Sequence, residues 1–376
     1  VADAVGRELT LAGLEALADR VTQYYQDLGF PVAQAYIPEQ VIADGIVRIA
    51  VLEGRYGRIR IDNRSRVRDE VVEQHLRGVA SGDVIRRAPL DRAVRILNDL
   101  PGVSARATLV AGESTGTSDL VVEVADDDVV RAALAVDNHG NEATGAVRTN
   151  VQASWENPRG WADRLTVDYL VSGSGMQMWR AGYEGPIEFS ELKLGLGYSH
   201  VRYRLGGTFA VLDAYGRTET LSAELTYPFL RSRNSNLEAR LGVSRRSMHD
   251  LIEAVDLVTD KDVTGATAEL RGTTYPAFGG ALGYSVVLHA GSLAFATEDG
   301  KAADAATAGA AGGFARLGVS GTWTRPVGVR TVLGLSLQGQ VATKNLDSSE
   351  KMPVGGPNGV RAYPVGWAAG DQAWLG

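Results

Sequence analysis

The sequence contains no cysteine. This absence rules out disulfide bonds, thiolate metal sites and a cysteine nucleophile. Long hydrophobic runs are also missing, since no stretch of about 18 apolar residues occurs, and this excludes membrane-spanning helices. It does not exclude a membrane β-barrel, because lipid-facing and lumen-facing residues alternate along each strand and average hydropathy cancels. The mean hydropathy of −0.08 is therefore compatible with either a soluble protein or a membrane barrel.

Signs of catalysis or of nucleic-acid binding are equally sparse. The net charge of −7 argues against a nucleic-acid binder. The five histidines are scattered without metal-ligand spacing, and neither a nucleophile elbow nor a phosphate-binding glycine loop is present. Asp256, Asp260 and Asp262 lack the spacing of a calcium loop and are interpreted as part of a solvated loop. The sequence therefore predicts a protein that is not an enzyme and that binds no cofactor, metal or nucleotide.

The first part of the chain, to about residue 128, mixes helical and strand periods. A helix from Leu9 that is ended by Gly29 precedes two strands, at 31–38 and 45–54. A related order follows, with strands and helices at 56–61, 69–76, 88–100, 103–110 and 118–124. This repeat, at roughly 70 residues, predicts two tandem copies of a small α+β module, the first lacking its opening strand.

From about residue 129 onward the period is two. Leu221, Ala223 and Leu225, for example, alternate with Ser222 and Glu224. The runs are close to the roughly 9–11 residues that a tilted membrane strand needs. The pattern predicts about eleven strands between 130 and 346, a long loop at 345–371 and a twelfth strand from 372. Short turns alternate with longer polar stretches near 250–262 and 296–313, which favours an antiparallel transmembrane β-barrel over a soluble β-sandwich or β-helix.

Three motifs carry a resemblance to a known family. The first is the segment from Tyr36 to Gly57, with Ile37-Pro38-Glu39-Gln40 and Leu52-Glu53-Gly54 inside it. The second opens the strand-rich part and contains Asp137, Asn138, Gly140 and Gly145. The third, in the long loop, consists of Val360, Arg361, Ala362, Tyr363 and Pro364, and Gly370-Asp371 follows it.

Together these motifs resemble the outer-membrane transporters of two-partner secretion, the TpsB type, within the POTRA-barrel superfamily. The resemblance runs over essentially the whole chain. It implies POTRA modules at 1–54 and 55–128 and a barrel at 129–376, of about sixteen strands when complete, with the closing strands absent here. The chain departs from the family at Ala362, where Gly is usual, and at Glu142, where a basic residue is common.

The family implies a pore in the outer membrane of a Gram-negative bacterium, in contact with its lipid. This pore would export a large unfolded exoprotein, TpsA-type and β-helical, while POTRA modules in the periplasm capture this client. Capture is expected at a sheet edge and beside the helix that carries Leu90, Val94 and Leu97, although these helices are equally expected to pack on their own sheets. An assembly factor for outer-membrane proteins, an outer-membrane barrel enzyme and a passive porin are the alternatives.

Arg361 is the residue to which the resemblance gives a specific role. The loop at 345–371 is Gly-rich and hydrophilic, and is expected to have no fold of its own. A guanidinium inside a barrel needs a carboxylate partner, and its planar fork suits a two-pronged ion pair that pins the loop tip to the inner wall. From the residues alone, Arg361 also fits an exposed arginine beside a proline turn.

Overall fold

The computed structural model describes residues 2–173 and 175–376. It divides into two compact units, Val1–Asp127 and Asp128–Gly376. Within the described part of the chain, every helix is too short or too polar to cross a membrane.

The first unit has the predicted alternation of helices and strands. Its elements are α1 (Leu11–Asp27), β1 (Gln34–Tyr36), β2 (Ala50–Leu52), β3 (Arg55–Asn63), α2 (Asp69–His75), α3 (Arg87–Asn98), β4 (Val103–Ala111) and β5 (Thr117–Asp126). The strands predicted at 31–38 and 45–54 are shorter than expected, because β1 and β2 pair over only three residues each. A tight turn with positive φ at Asp44 and Gly45 lies in the segment between them.

Residues 55–126 form a three-stranded sheet of order β3-β5-β4, on which α2 and α3 pack. β3 runs parallel to β5, and β4 runs antiparallel to it. Side chains from both helices and from the central strand are almost fully buried and form the core: Val71, Val72, Ile96, Leu97, Leu120, Val122 and Val124. Burying a side chain of this kind contributes about 1.5–3 kcal/mol.

The second unit consists almost wholly of strands. Its elements are β6 (Val130–Asp137), β7 (Arg148–Glu156), β8 (Arg164–Ser172), β9 (Met176–Pro186), β10 (Lys193–Arg204), β11 (Ala214–Arg231), β12 (Ser235–Ile252), β13 (Leu257–Thr274), β14 (Ala281–Phe295), α4 (Glu298–Ala306), β15 (Gly312–Val327), β16 (Thr331–Ala342), β17 (Met352–Pro353), β18 (Ala369–Gly370) and β19 (Ala373–Leu375).

Twelve of these strands form one antiparallel sheet in which each strand pairs with its neighbours in sequence, from β6 through β16 and then β19. This confirms the prediction of eleven strands, a long loop and a twelfth strand. β6 and β19 are the two edge strands of the sheet. β17 and β18 pair with each other inside the loop.

The two faces of this sheet differ in polarity, as the period of two predicted. On β10, Leu194 and Leu196 lie on one face and are 38% and 52% exposed. Gly195 and Gly197 lie on the other face, opposite Glu224 and Ser222 of β11. We call these the apolar face and the polar face. Large exposed hydrophobic side chains on one face of a sheet are typical of a surface that contacts lipid.

Two predicted loops are wrong in detail. The stretch at 250–262 is a tight hairpin, because β12 runs to Ile252 and β13 begins at Leu257. β11, β12 and β13 each have 18 residues, well beyond the predicted length. Asp260 and Asp262 therefore lie on a strand rather than in a solvated loop, and they pair with His249 and Arg245.

The second stretch, at 296–313, was predicted as a polar loop but contains the helix α4. Thr297 caps this helix by accepting a hydrogen bond from the backbone N–H of Gly300. Asp304, in the last turn of the helix, is buried and accepts hydrogen bonds from the backbone N–H groups of Ala310 and Ala311. A short alanine- and glycine-rich helix of this kind gives little periodic signal, since it has few apolar side chains to place on one face.

Candidate functional site

The long loop between β16 and β19 lies against the polar face of β12–β16. Leu346, at the start of the loop, is 1% exposed. It packs in a cluster with buried apolar side chains that these strands and the α4 hairpin contribute: Met248, Val263, Leu293, Ala310 and Phe314. The loop is therefore packed onto the inner surface of the sheet at its first residues.

Glu350 is the most strongly bound side chain of the loop. Its carboxylate, 2% exposed, accepts hydrogen bonds from Arg246 on β12 at 2.8 Å and from Arg316 on β15 at 3.1 Å. His289 Nε2 on β14 lies 3.9 Å from the same carboxylate. Two arginines thus compensate one buried carboxylate, which is what a buried charge needs to be tolerated.

A second ion pair lies beside the first. Lys261 on β13 donates to Asp347 Oδ2 at 2.8 Å, and both side chains are 11% exposed. Burial alone would raise the pKa of Asp347, but the hydrogen bond and charge of Lys261, together with the backbone N–H of Ser349, hold this pKa below its ordinary value. Asp347 is therefore expected to stay ionised at neutral pH.

Gln340 and Asp371 tie the two ends of the loop together. Gln340 on β16 donates its side-chain amide toward the carbonyl oxygens of Glu350 and Asp371, at 3.2 and 3.3 Å. The carboxylate of Asp371 accepts the backbone N–H of Leu346 at 2.8 Å. Lys351 pairs with Asp371 at 3.5 Å. The base of the loop is consequently closed by contacts between its own two ends.

The loop also has internal structure, which corrects the expectation that it has no fold of its own. β17 and β18 form a short antiparallel stem, with Met352 opposite Gly370 and Pro353 opposite Ala369. Beyond the stem the backbone continues to pair, because the N–H of Gly356 donates to the carbonyl of Tyr363 at 2.9 Å. Backbone groups paired in this way hold a segment in one conformation without a hydrophobic core.

The predicted motif Val360–Pro364 lies at the tip of the loop. Arg361 is exposed, and within residues 2–173 and 175–376 no carboxylate lies within ion-pairing distance of it. The rings of Tyr363 and Trp367 lie 5.8 Å apart at this tip. Gln338 on β16 donates to the carbonyl oxygen of Asn358 at 2.8 Å. The role predicted for Arg361 stays a prediction.

The predicted first-strand motif forms the end of β6 and the hairpin that follows it. Asp137 pairs with Arg148 across this hairpin at 2.8 and 3.0 Å, and it accepts the backbone N–H of His139. A Cβ at Gly140 would collide with the carbonyl oxygens of Gly145 and Ala146. Gly145 itself has a φ of +109°. Both glycines are therefore required by backbone geometry.

The hairpin of the first-strand motif also touches the loop tip. Asn141 donates its side-chain amide to the carbonyl oxygen of Val365 at 2.8 Å. The structure thus places the first-strand motif beside the residue that directly follows the loop motif. The two motifs lie near the first and the last strand of the sheet in sequence. Asn138 and Ala362 take no part in this contact.

The predicted client-contact residues lie on α3. Leu90 and Val94 are half-buried, whereas Leu97 has 0% exposure and belongs to the core described above. A side chain with no exposed surface offers a client nothing to bind, so Leu97 is assigned to packing. Asn98 at the end of α3 exchanges two hydrogen bonds with the backbone of Ala105 on β4 and covers that point of the sheet edge.

The residues that hold the loop base were not predicted from the sequence. Their signal was present but weak: Arg246, Lys261 and Arg316 occupy positions in strands that the alternation assigns to the polar face. The acidic residues Asp347 and Glu350 lie in the following loop. Opposite charges on the polar face of the sheet and in the loop predict an attraction between the two. Their spacing in the sequence does not show which residue pairs with which.

Comparison with known families shows to which family this chain belongs. Residues 116–375 match the family described as haemolysin secretion/activation protein ShlB/FhaC/HecB. This chain belongs to the ShlB/FhaC/HecB family. Residues 1–54 match the ShlB-type POTRA domain, so the N-terminal α+β region of this family member contains a POTRA module.

Two groups of curated relatives match nearly the full chain. The heme/hemopexin transporter protein HuxB of Haemophilus influenzae is 28% identical over 373 residues, covering 99% of this chain and 66% of the relative. The outer membrane transporter CdiB of Escherichia coli O6:K15:H31 is 24% identical over 384 residues, covering 99% of this chain and 63% of the relative. The chain thus spans just under two thirds of the length of these relatives.

Solved structures show the same fold. CdiB from Escherichia coli superposes with a TM-score of 0.77 at 22% identity, covering 100% of this chain and 70% of that one. BamA from Haemophilus ducreyi, lacking POTRA domains 1–3, superposes with a TM-score of 0.55 at 12% identity, covering 96% of this chain and 71% of that one. The architecture of a POTRA region followed by an antiparallel barrel sheet is therefore confirmed.

Proposed function

We propose that this protein is a translocation pore of the outer membrane, which exports an unfolded polypeptide partner from the periplasm to the cell surface. The observation that carries the proposal is a folded loop held on the polar face of a membrane-type sheet by charged side chains. A polar inner surface suits an extended polypeptide with unpaired backbone groups, because these groups need hydrogen-bonding partners on the way. A loop held on that surface can act as a gate, which opens and closes the path of the polypeptide.

The loop contacts favour a gate that opens without unfolding the barrel. Glu350 and Asp347 hold the loop through side chains, whereas the strands are held by main-chain hydrogen bonds. Breaking a buried ion pair costs about 3–5 kcal/mol, and this cost falls when water or a passing chain supplies substitute partners. Displacement of the loop base therefore leaves the sheet intact.

The domain division follows the element order. We assign residues 1–54 to a first POTRA module, 55–128 to a second and 129–376 to the barrel, with the loop at 345–371 and the start of strand twelve after it. The barrel lies in the outer membrane of a Gram-negative bacterium and the POTRA region lies in the periplasm. The apolar face of the barrel sheet contacts membrane lipid.

The POTRA region has two features that suit client capture. β4 is an edge strand, and pairing with an extended client segment needs only main-chain hydrogen bonds. Leu90 and Val94 of α3 have partly exposed side chains that can contact apolar residues of that segment. Because Asn98 covers the edge at Ala105, the pairing surface begins beyond this residue.

The partner is a secreted exoprotein of TpsA type, which folds into a β-helix after export. HuxB is named as a heme/hemopexin transporter, and the CdiB proteins are named as outer membrane transporters. Export by this pore uses no cofactor or nucleotide, so folding or capture outside the cell supplies the drive. The protein acts as a transporter and not as an enzyme.

The proposal is tested by export of the partner from cells that carry the full-length protein. The partner should appear in the medium only when the transporter is present. A variant with cysteines at Arg316 and Glu350, joined by a bis-maleimide, fixes the loop base to β15. These 376 residues contain no native cysteine, so within them the reagent reacts only at the two introduced thiols.

Loop fixation should stop export, whereas each single-cysteine variant treated with the same reagent should keep at least part of its export. Export that is unchanged after fixation would contradict the gate. If removal of the protein lowers the amounts of many outer-membrane proteins and leaves the partner's export unchanged, the protein is an assembly factor instead.

A further inference from the structure

Alternate residues of β10 change character in one direction along the apolar face. From one end to the other they are Leu194, Leu196, Tyr198, His200, Arg202 and Arg204. Each step of two residues advances roughly 6.6–6.8 Å along the strand. An apolar stretch therefore gives way first to an aromatic ring and then to cationic side chains on the same surface of the sheet.

The aromatic residues mark a boundary. Trp179 of β9 lies 4.9 Å from the ring of Tyr198 and 5.9 Å from that of His200. Tryptophan and tyrosine on the lipid-facing side of a barrel concentrate at the level of the headgroups. Arg202 and Arg204 lie one and two steps beyond His200, on the side of these rings away from the apolar stretch.

A third arginine joins them on the neighbouring strand. Arg217 of β11 lies directly opposite Arg202 in the register, and His249 of β12 lies opposite Arg217. We call Arg202, Arg204 and Arg217 the outward arginine patch. Together with Gln177, Tyr215 and His249 they line a pocket of about 410 Å³.

The charges in this pocket are incompletely balanced. Arg204 pairs with Asp213 at 3.2 Å and lies over the ring of Tyr215 at 5.0 Å. Arg202 donates to His200 Nε2 at 2.9 Å. In the part of the chain that the structure describes, no carboxylate lies within ion-pairing distance of Arg202 or Arg217. Like charges directly opposite on neighbouring strands are destabilising.

The nearby acidic groups are already engaged elsewhere. Glu219 lies 3.4 Å from His200, Asp260 bonds His249, and Glu253 accepts from the hydroxyl of Tyr215. On the adjacent strand pair, Arg245 shows the usual solution, because it pairs with Asp262 at 3.2 Å. Arg202 and Arg217 differ from it in having no such partner, which leaves a place for an external anion.

We propose that the outward arginine patch binds the phosphate groups of an anionic lipid in the outer leaflet. The inference rests on the proposed placement in the outer membrane. β6 directly follows the periplasmic region in sequence, so the strand ends at Ser172, Arg204 and Ile252 are external ends. A planar guanidinium makes two parallel hydrogen bonds to a phosphate, and two of them can share one headgroup.

The test uses the purified full-length protein in an uncharged detergent, titrated with lipid A, a bis-phosphorylated glycolipid, while its thermal unfolding is followed. Three variants are compared: the double variant Arg202→Gln/Arg217→Gln, the double variant Arg202→Lys/Arg217→Lys, and Arg245→Gln as the ion-paired control. Dephosphorylated lipid A and inorganic phosphate are titrated in parallel.

Lipid A should raise the unfolding temperature of the wild type and of Arg245→Gln, with similar midpoints. The glutamine pair should lose at least tenfold in apparent affinity, and the lysine pair should fall between, since it keeps charge but loses the fork. Dephosphorylated lipid and inorganic phosphate should act much more weakly than lipid A.

Equal binding of lipid A by the wild type and the glutamine pair would overturn the proposal, and so would inorganic phosphate that binds as well as lipid A. If the double glutamine variant fails to assemble, the double lysine variant decides. An affinity for lipid A that equals that of the wild type would then exclude recognition by the planar guanidinium. Lipid binding is read without any client, so failure here is distinguishable from failure of the export function.

Discussion

Asn141 donates its side-chain amide to the carbonyl oxygen of Val365 at 2.8 Å, across 224 positions of sequence. This contact joins the β6–β7 hairpin to the tip of the long loop, whose base is held on β12, β13 and β15 by Arg246, Lys261 and Arg316. One loop is thereby attached to the first hairpin of the twelve-stranded sheet and also to strands near the other edge of that sheet. Opening the pore requires release of the base, of the tip or of both.

Replacing Glu350 by Gln should release the loop base. Gln keeps the shape of the side chain but leaves Arg246 and Arg316 without their shared carboxylate, and losing one partner of a buried ion pair costs about 3–5 kcal/mol. Single-channel recordings of the full-length protein should show larger or more frequent openings. Glu298→Gln, whose side chain is 92% exposed, is the control and should behave as wild type. Unaltered conductance in E350Q would exclude the loop base as a gate.

Replacing Asn141 by Ala should loosen the loop tip while leaving the base in place. One hydrogen bond contributes about 0.5–1.5 kcal/mol. Without it, the fraction of time that the loop tip spends detached from the hairpin should rise severalfold. A thiol introduced by Ala362→Cys in this cysteine-free chain reports the change through its rate of maleimide labelling. Asn358→Ala is the matched control, because Gln338 contacts only the backbone carbonyl of Asn358. Equal labelling rates in both variants would mean that the Asn141 contact does not hold the tip.

Arg361→Ala should sharply reduce export of the partner and leave insertion of the barrel nearly intact. The strands keep their main-chain hydrogen bonds, whereas the loop tip loses the side chain that the family resemblance assigns to an acidic partner on the wall. Arg361→Lys should fail in part, since an ammonium cannot make the same two-pronged contact. Arg330→Ala, in an exposed turn, serves as the control. Normal export by R361A would make Arg361 an ordinary surface residue.

Gly140→Ala should impair assembly of the barrel. The added Cβ would meet the carbonyl oxygens of Gly145 and Ala146, which belong to the backbone of the same hairpin and cannot move independently. Gly334→Ala in β16 is the control, because no atom lies within 4 Å of a Cβ at that position. Heat-modifiable migration on gels measures assembly. Similar folded fractions for the two variants would show that the hairpin tolerates a side chain at Gly140.

Tyr56→Phe should be neutral or stabilising by up to about 1 kcal/mol below pH 10. Tyr56 is 3% exposed, and within the described residues its hydroxyl has no hydrogen-bond partner. Burial, with a smaller effect of Asp83, raises the pKa of Tyr56, so folding favours its neutral form. The stability that depends on this form is present below the unfolded pKa and falls as the pH rises above it.

The alkaline side of the stability curve should therefore be flatter in the Tyr56→Phe variant. Limited proteolysis of the POTRA region in the full-length protein, followed from pH 8 to pH 12, measures this. Tyr36→Phe, whose ring is 41% exposed, is the control and should leave the wild-type alkaline loss in place. An alkaline loss in Y56F as steep as in the wild type would mean that the ionisation of Tyr56 does not cause it.

The sequence by itself determined the order of the main strands and of the N-terminal helices, and the two faces of the large sheet. Alternation such as that of Leu221, Ala223 and Leu225 specifies a strand with unlike faces, because successive side chains point to opposite sides. It also supplied the three motifs that carry the family resemblance. The polar ends of β12 and β13 escaped prediction, because Arg245, Ser247 and His249 carry no hydrophobic contrast with their neighbours.

Only the tertiary structure decided what holds the loop. Glu350 meets Arg246 and Arg316, which precede it by 104 and 34 positions, and Asn141 meets Val365 from the far side of the sheet order. Periodicity describes one segment at a time and contains no information about which distant segments meet. Charge shows that a buried carboxylate needs a cation, but many arginines satisfy that requirement equally well in sequence. The register of the strands and the path of the loop select the pair.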